Sequence, residues 1–207
     1  MTTGLRERKK LQTRHALGAA ALELAVAHGL AEVTVEQIAE AADVSPRTFF
    51  NYFSSKEEAI VAADVERARL MGERLAARPA DEPVLASVRA VVREMVAGAG
   101  DRQREWIRQV RLVRANPTLV PHQLAAYATI ELHLAQVIAE RTGLDAHDLY
   151  PAVTAAAVMS ATRAATTRWL AADGRADLTA CLDEALDLLA HGLENPPVPG
   201  HASPRAP

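Results

Sequence analysis

The sequence predicts an all-α protein with a small N-terminal unit of three helices and a larger helical body. Ala, Leu, Arg and Glu dominate long segments in which apolar residues recur with the helical period. The alternating runs of Val, Ile and Thr that are typical of strands do not occur. With 207 residues and 49% hydrophobic content, the chain can form two small domains or one large one.

Glycine, proline and capping residues divide the chain into nine predicted helices. Thr34 and Gln37 have the spacing of a capping box for the second helix, and Ser45 is the predicted N-cap of the third. Asp101 and Asp177 are expected to cap the sixth and ninth helices. The predicted helices run from about 5 to 28, 35 to 42, 46 to 52, 56 to 77, 83 to 98, 101 to 115, 119 to 142, 145 to 172 and 177 to 193.

These helices predict three parts of the chain. Residues 1–55 form the N-terminal unit, residues 56–194 form the helical body, and residues 195–207 form a disordered tail. The tail begins with Asn-Pro-Pro-Val-Pro-Gly, which can neither continue a helix nor build a core.

Charge and composition exclude several classes of protein. The net charge is −3, so any contact with nucleic acid must come from a local basic cluster. Cys181 is the only cysteine, and it lies in an apolar stripe, which indicates a core residue and a reducing, cytoplasmic environment. No apolar run is long enough to cross a membrane, and the N-terminus lacks the apolar core of a secretion signal.

Candidate catalytic and metal-binding patterns are also missing. The seven histidines show no paired-ligand spacing, and no glycine-rich phosphate loop occurs. The sequence therefore predicts no metal, no cofactor and no enzymatic activity.

The most informative segment runs from Thr34 to Lys56. Two short helices flank a tight turn at Asp43 and Val44, which is the spacing of a helix-turn-helix. Apolar positions give each helix one face that packs against the other. These positions are Val35, Ile38, Ala39 and Ala42 in the first helix, and Val44, Phe49 and Phe53 in and around the second.

The remaining side chains of the second helix suit DNA recognition. Arg47 can bond guanine bidentately, and Asn51 can contact a base edge or a phosphate. Lys56 stands at the start of the next helix, where a cation and free N–H groups together suit a phosphate. Pro46 or Phe50 can touch a thymine methyl, and Thr48 and Tyr52 can donate to phosphates. The predicted DNA-binding residues are Arg6, Thr34, Ser45, Pro46, Arg47, Thr48, Phe50, Asn51, Tyr52 and Lys56.

A basic cluster precedes this segment in the first helix. Its cations can bind the DNA backbone or enter the minor groove, and they explain how an acidic chain binds DNA. The cluster comprises Arg6, Arg8, Lys9, Lys10 and Arg14, against the single negative charge of Glu7.

The order Thr-Val-x-x-Ile-Ala-x-x-Ala-x-Val-Ser-x-x-Thr-Phe-Phe-x-Tyr-Phe-x-x-Lys over residues 34–56 resembles the DNA-binding signature of the TetR family. This resemblance implies an Ω-shaped homodimer on double-stranded operator DNA, with a C-terminal domain that binds a small effector and dimerises. One departure is Asp43, where many relatives carry Gly. Aspartate tolerates the left-handed conformation, so the turn is still expected to form.

The sixth and seventh helices carry a second resemblance. Residues 107–143 are similar to the C-terminal domain of mycofactocin-system regulators, which implies long acyl-CoA effectors. Four arginines, spaced three or four residues apart, line one side of the sixth helix and suit a phosphate or carboxylate. Alternatively, this stripe is solvated or paired with acids. The arginines are Arg104, Arg108, Arg111 and Arg114.

A cationic ligand is the alternative effector. Glu131 follows Tyr127 by about one helical turn, and with Trp106 these side chains could recognise a lipophilic cation. Glu131 is otherwise a partly exposed residue at a helix edge. The candidate ligand-binding residues are therefore Trp106, Arg108, Arg111, Tyr127 and Glu131.

The eighth and ninth helices are candidates for the dimer interface. The eighth is rich in alanine, and the ninth has an apolar stripe that includes Leu178, Leu182 and Leu186. The resemblance to the TetR family implies that the two helices form a four-helix bundle with the partner. The alternative is that both pack inside one subunit, and we favour the bundle.

Together, these patterns predict a ligand-responsive regulator, a repressor released from a palindromic operator by a small hydrophobic or acyl-CoA-like effector. A sensor of lipophilic cationic drugs that controls an efflux gene is the alternative effector class. An architectural DNA-binding protein would need more positive charge, and a helical enzyme would need a convergent acid, base or metal set.

Overall fold

The computed structural model of the protein describes residues 3–98, 100–172 and 177–192, and every regular element in these ranges is helical. Two short 3₁₀ turns, Leu30–Glu32 and Pro117–Leu119, lie beside the main helices. The helices are α1 Thr3–His28, α2 Val35–Ala41, α3 Pro46–Phe50, α4 Lys56–Ala76, α5 Val84–Ala97, α6 Gly100–Ala115, α7 Val120–Thr142, α8 Leu149–Ala171 and α9 Leu178–His191.

The predicted all-α class and the order of the helices are confirmed, with corrections at several ends. Helix α3 ends at Phe50 because Asn51 already forms the C-cap. Helix α6 begins at Gly100, so Asp101 lies within the helix and does not cap it. Helix α8 begins at Leu149, with Asp148 at its N-cap position, so its start falls inside the predicted range of 145 to 172. The predicted tail lies outside the described residues.

The local signals that end and begin helices are confirmed where the prediction was most specific. Thr34 and Gln37 form the complete capping box of α2. Asp177 caps α9 by accepting a hydrogen bond from the backbone N–H of Thr179 at 2.8 Å. Gly143 ends α7 in the left-handed conformation, with φ of 69°, a conformation that strains most residues with a side chain.

A first hydrophobic cluster joins the N-terminal unit to the body. Leu17 and Leu22 of α1 and Ile38 of α2 pack with Phe49 and Phe53. The same cluster takes in the start of α4 and a few residues of the body: Ala59, Ile60, Val61, Val113, Leu119 and Ala126. The core of the N-terminal unit therefore continues past residue 55.

A second cluster fills the body. It includes Leu75 at the far end of α4, Ile138 of α7, Trp169 of α8 and Leu186 of α9. Cys181 is buried in this cluster, as predicted for a core residue. Both α4 and α7, the latter through Ala126 and Ile138, contribute to the two clusters, and α4 also follows directly from the N-terminal unit.

Arg141 of α7 fastens the far end of α4. Its guanidinium donates to the backbone oxygens of Leu75 and Arg78 at 2.9 Å and of Pro79 at 2.8 Å. It also donates to the Ser87 hydroxyl at 3.0 Å. Carbonyls at a helix C-terminus have no partner within the helix, so this arginine caps α4 and holds the loop before α5. None of the described helices is long and apolar enough to span a bilayer.

Candidate DNA-binding surface and effector site

The turn between α2 and α3 has the geometry that the sequence predicts. The backbone N–H of Val44 donates to the oxygen of Ala39 at 2.9 Å and closes the turn. Asp43 has φ of 54°, the left-handed conformation expected for a position where glycine is common. This turn sets the direction in which α3 leaves α2.

Helix α3 is short and is held by local contacts. The Ser45 hydroxyl accepts from the backbone N–H of Thr48 at 3.1 Å, and the two side-chain oxygens lie 2.9 Å apart. Phe49 is fully buried and packs against Phe53, with ring centroids 5.7 Å apart. The edge of Phe50 meets the ring of Phe49 at 5.5 Å. The inner face of α3 is therefore fixed.

The outer face of α3 is open to solvent. Pro46, Arg47 and Asn51 are exposed, and Phe50 keeps 59% of its surface accessible. Among the described residues, none pairs with the Arg47 guanidinium. A rigid helix that presents an unpaired arginine, an amide and an aromatic ring has the chemistry to read base edges in a major groove.

Three other predicted DNA-binding residues already have local partners. Thr34 and Ser45 use their hydroxyls to cap helices, and Thr48 shares its hydroxyl with Ser45. Tyr52 is half-buried against the first cluster. These side chains shape the surface, and any contact that they make with DNA would add to this role.

Lys56 differs from the expectation of a free phosphate-binding cation. Its ammonium donates to the backbone oxygens of Leu30 at 2.8 Å and Val33 at 2.7 Å. Two of its three N–H donors therefore tie the start of α4 to the segment between α1 and α2. This tie was not predicted, because the spacing of Lys56 in the motif carries no information about distant carbonyls.

The basic cluster of α1 divides into two groups. Arg6, Arg8, Lys9 and Lys10 are exposed. Arg14, one turn after Lys10, turns inward instead. Arg6, Lys9 and Lys10 retain the ability to bind a DNA backbone, whereas Arg8 and Arg14 interact within the protein.

In the body, the predicted arginine stripe faces outward. Arg108, Arg111 and Arg114 are exposed, while Gln109 on the same helix is fully buried. Successive residues of a helix are about 100° apart, so Arg111 points away from the direction of Gln109. The stripe therefore lies outside the helical interior.

One edge of this stripe borders an open cleft of about 540 Å³. The cleft lies between the ends of α6 and α8 and is lined by Arg111, Arg114, Ala115 and Leu170. Trp106 of α6 stacks on Trp169 of α8, with ring centroids 6.4 Å apart. Of the candidate ligand residues, Trp106 and Arg111 thus both lie where α6 faces α8.

The interior of the body contains a polar cluster that the sequence did not predict. The Asp64 carboxylate accepts from the Arg67 guanidinium, from the Gln109 amide at 3.1 Å and from the Gln123 amide at 2.8 Å. Arg67 also donates to the Gln109 oxygen at 2.8 Å. This cluster joins α4, α6 and α7, and its hydrogen-bonded partners on different helices are 42–59 positions apart along the chain.

Tyr127 of α7 lies near this cluster, Glu131 follows it one turn later, and both are half-buried. Burial raises the pKa of the Tyr127 phenol, and the negative charge of Asp64 raises it further. The guanidinium of Arg163 lies 5.9 Å from the centre of the Tyr127 ring. The surroundings of Tyr127 thus include the carboxylate of Asp64 and the guanidinium of Arg163. Trp106 instead stacks on Trp169.

Across the described ranges, no group of His, Cys, Asp and Glu side chains has a metal-binding arrangement. In the described part of the chain, the exposed face of α3, with Arg47, Phe50 and Asn51, is the candidate functional site.

Comparison with known families agrees with the helix-turn-helix geometry. Residues 17–63 match the family described as bacterial regulatory proteins of the tetR family, and residues 82–194 match the family described as the MftR C-terminal domain. The chain therefore belongs to the TetR family of DNA-binding transcription regulators, and both resemblances drawn from the sequence are confirmed.

Among its relatives is the HTH-type transcriptional regulator TcmR of Streptomyces glaucescens, 36% identical over 90% of this chain and 86% of that protein. MftR of Mycobacterium tuberculosis, described as a mycofactocin biosynthesis transcriptional regulator, is 28% identical, and the match covers 90% of this chain and 94% of the length of MftR. The fold is similar to that of Thermus thermophilus FadR, a TetR-family repressor crystallised with lauroyl-CoA. The TM-score is 0.59 at 23% identity, covering 92% of this chain and all of FadR.

Proposed function

We propose that this protein is a repressor that binds a palindromic operator as an Ω-shaped homodimer and leaves it when a small hydrophobic effector binds the body. It acts in the cytoplasm, where its operator lies, and performs no catalysis. The exposed face of α3 carries the proposal, because Arg47, Phe50 and Asn51 project from a helix that is capped and anchored. The exposed cations of α1 supply backbone contacts beside it.

Arg47→Ala tests this recognition surface, with Arg108→Ala as the matched control. Both arginines are exposed, so neither substitution should unfold the protein. A duplex selected by the wild-type protein from a random-sequence library serves as the probe. We expect Arg47→Ala to weaken specific binding by about 1–3 kcal/mol, and Arg108→Ala to leave it unchanged. Full-strength binding by Arg47→Ala, measured by fluorescence anisotropy, would contradict the assignment of α3.

Of the two helices proposed for dimerisation, α8 and α9, it is α8 whose outer surface supports an interface. Leu149 keeps 78% of its surface exposed, and Tyr150 and Val153 are also exposed. Large apolar side chains that remain accessible in one subunit are candidates for an interface. By contrast, the apolar stripe of α9, formed by Leu178, Leu182 and Leu186, is buried within the subunit. For α9 this is the packing alternative that the sequence left open.

Val153→Glu is therefore the substitution that tests the interface, and Leu124→Glu on the exposed face of α7 is its control. Analytical ultracentrifugation should show monomers for Val153→Glu and dimers for Leu124→Glu. The monomer should also fail to bind the palindromic duplex tightly, because two subunits are needed to contact the two half-sites. Monomers from Leu124→Glu alone would place the interface on α7.

An acyl-CoA-like effector is supported by the exposed arginines of α6 beside the open cleft. Arg108 and Arg111 offer bidentate donors for phosphate or carboxylate groups. The lauroyl-CoA bound to FadR gives the same effector class in a protein of similar fold. Ligand and operator would then oppose each other by linkage, with α4 as the connection between the two sites.

Lauroyl-CoA is the first effector to titrate, with lauric acid and a lipophilic cation as comparisons. Both tryptophans lie in the body, so their fluorescence reports binding there. Binding of lauroyl-CoA that lowers operator affinity and is weakened by Arg111→Ala supports the anionic effector. Saturable binding of the cation alone, lost in Glu131→Gln, would replace it with a drug sensor that controls an efflux gene.

A further inference from the structure

The recognition helix α3 has little of its own to fix its orientation. It spans five residues, and Phe49 is its only buried side chain. The Ser45 cap holds its N-terminal end. Phe53, a second buried ring, follows the C-terminal end, and a further contact at that end limits how far the short helix can tilt about Phe49.

That contact comes from Arg14 of α1. Its Nη1 donates to the backbone oxygen of Tyr52 at 3.0 Å, just beyond the C-terminus of α3. Its guanidinium also lies over the ring of Phe53, with the central carbon 4.4 Å from the ring centroid. A cation near a helix C-terminus interacts favourably with the partial negative charge there, and stacking on an aromatic ring adds a second attraction.

The planar guanidinium satisfies both partners at once. Its Nη1 donates to the Tyr52 oxygen while its central carbon lies over the ring of Phe53, which is itself buried. An ammonium group could reproduce the charge but not this combination of a directed donor and a flat face.

We propose that Arg14 is a positioning residue that orients the recognition helix for operator binding, and that it does not neutralise a DNA phosphate. This inference rests on the proposed function. It separates Arg14 from the exposed cations of the same helix, such as Lys10, whose side chains remain available to the DNA backbone.

The salt dependence of binding distinguishes the two roles. Each phosphate contact that is lost makes the slope of log K against log[salt] shallower by about 0.9. A positioning residue should instead reduce specific affinity while it leaves the slope and the affinity for unrelated DNA unchanged.

Arg14→Lys and Arg14→Met are compared with Lys10→Gln on the selected duplex and on an unrelated duplex. We expect both Arg14 variants to bind the selected duplex at least about tenfold more weakly, with unchanged slope and unchanged binding to unrelated DNA. Lys10→Gln should weaken binding to both duplexes and make the slope shallower. Tryptophan fluorescence and thermal melting establish that the body and the fold are intact.

Wild-type affinity for the selected duplex in Arg14→Lys would overturn the proposal. A salt slope that becomes shallower in Arg14→Met, as it does in Lys10→Gln, would also overturn it. Failure of both Arg14 variants to fold would overturn it as well, because Arg14 would then act on stability alone. If the wild-type protein selects no duplex, the proposed function fails, and the role of Arg14 is read from amide hydrogen exchange. The amides of Tyr52 and Phe53, which bond to the Phe49 oxygen, should then exchange faster in Arg14→Lys, with α7 unchanged.

Discussion

The N-terminal unit and the body place polar side chains in opposite ways. In the N-terminal unit the centre is aromatic and aliphatic, and the hydroxyls of Thr34 and Ser45 lie at the surface as helix caps. In the body, Gln109 and Gln123 are buried and bond to the Asp64 carboxylate. The caps of the N-terminal unit thus join residues close in sequence, whereas the polar cluster of the body joins distant helices.

The two regions differ in how far apart along the chain their shape-determining residues lie. Caps and turn residues specify the shape of the helix-turn-helix locally. A buried polar cluster requires every member to be paired, so it specifies how particular helices meet in this one body. Substitutions in the two regions should therefore differ in what they damage.

The largest expected effect is the loss of the aromatic centre in the N-terminal unit. Phe49→Ala removes a fully buried ring and should lower the free energy of unfolding by about 3–5 kcal/mol. Phe50→Ala, at the exposed neighbouring position, should change stability by only about 0.5 kcal/mol and weaken operator binding. Urea denaturation of both variants measures the contrast. Equal losses of stability would show that the exposed ring is also a packing residue.

In the body, the comparable substitution is Arg141→Met. It removes the hydrogen bonds to the end of α4 and leaves the carbonyls of Leu75 and Arg78 without their donor. We expect a loss of about 2–3 kcal/mol in the free energy of unfolding. Arg111→Met, on the exposed stripe, is the control and should be nearly neutral. A neutral Arg141→Met would mean that the long-range contacts of the body contribute less than local caps do.

A smaller effect is expected at the turn of the helix-turn-helix. Asp43 has φ of 54°, where a β-carbon is unfavourable and a short polar side chain is tolerated. Asp43→Ala should therefore cost roughly 1 kcal/mol, and Asp43→Gly should stay within about 0.5 kcal/mol of the wild type. Thermal melting of the two variants provides the measurement. A more stable Asp43→Ala would contradict the left-handed turn.

The smallest effect concerns acid stability in the loop between α4 and α5. Hydrogen bonds from Arg78, and next from Ser87, lower the pKa of Glu82 from 4.5 to about 2. The stability that Glu82 contributes is therefore fully present above about pH 4.5 and is lost as the pH falls towards 2. Denaturation curves of Glu82→Gln and the wild type should differ most above pH 5 and converge towards pH 2. A difference in stability between the two proteins that grows as the pH falls would contradict this prediction.

Most of the fold could be predicted from the sequence because its signals are local. Helical periodicity, the capping box at Thr34 and the glycine after α7 each act within a few residues. The exposed face of α3 was predictable for the same reason. Val44 and Phe49 of the motif turn inward, which leaves Arg47 and Asn51 on the outer face of a short helix.

The sequence by itself therefore determined the helices, the turn and the family of this protein. Only the tertiary structure decided the roles of Arg14, Lys56, Gln109 and Arg141, whose partners lie 23–66 positions away. Long polar side chains have many rotamers, and the carbonyl or carboxylate that each one meets depends on how distant helices pack. Their spacing in the chain places them on a helix, but the packing of the other helices determines whether they face DNA, ligand or protein.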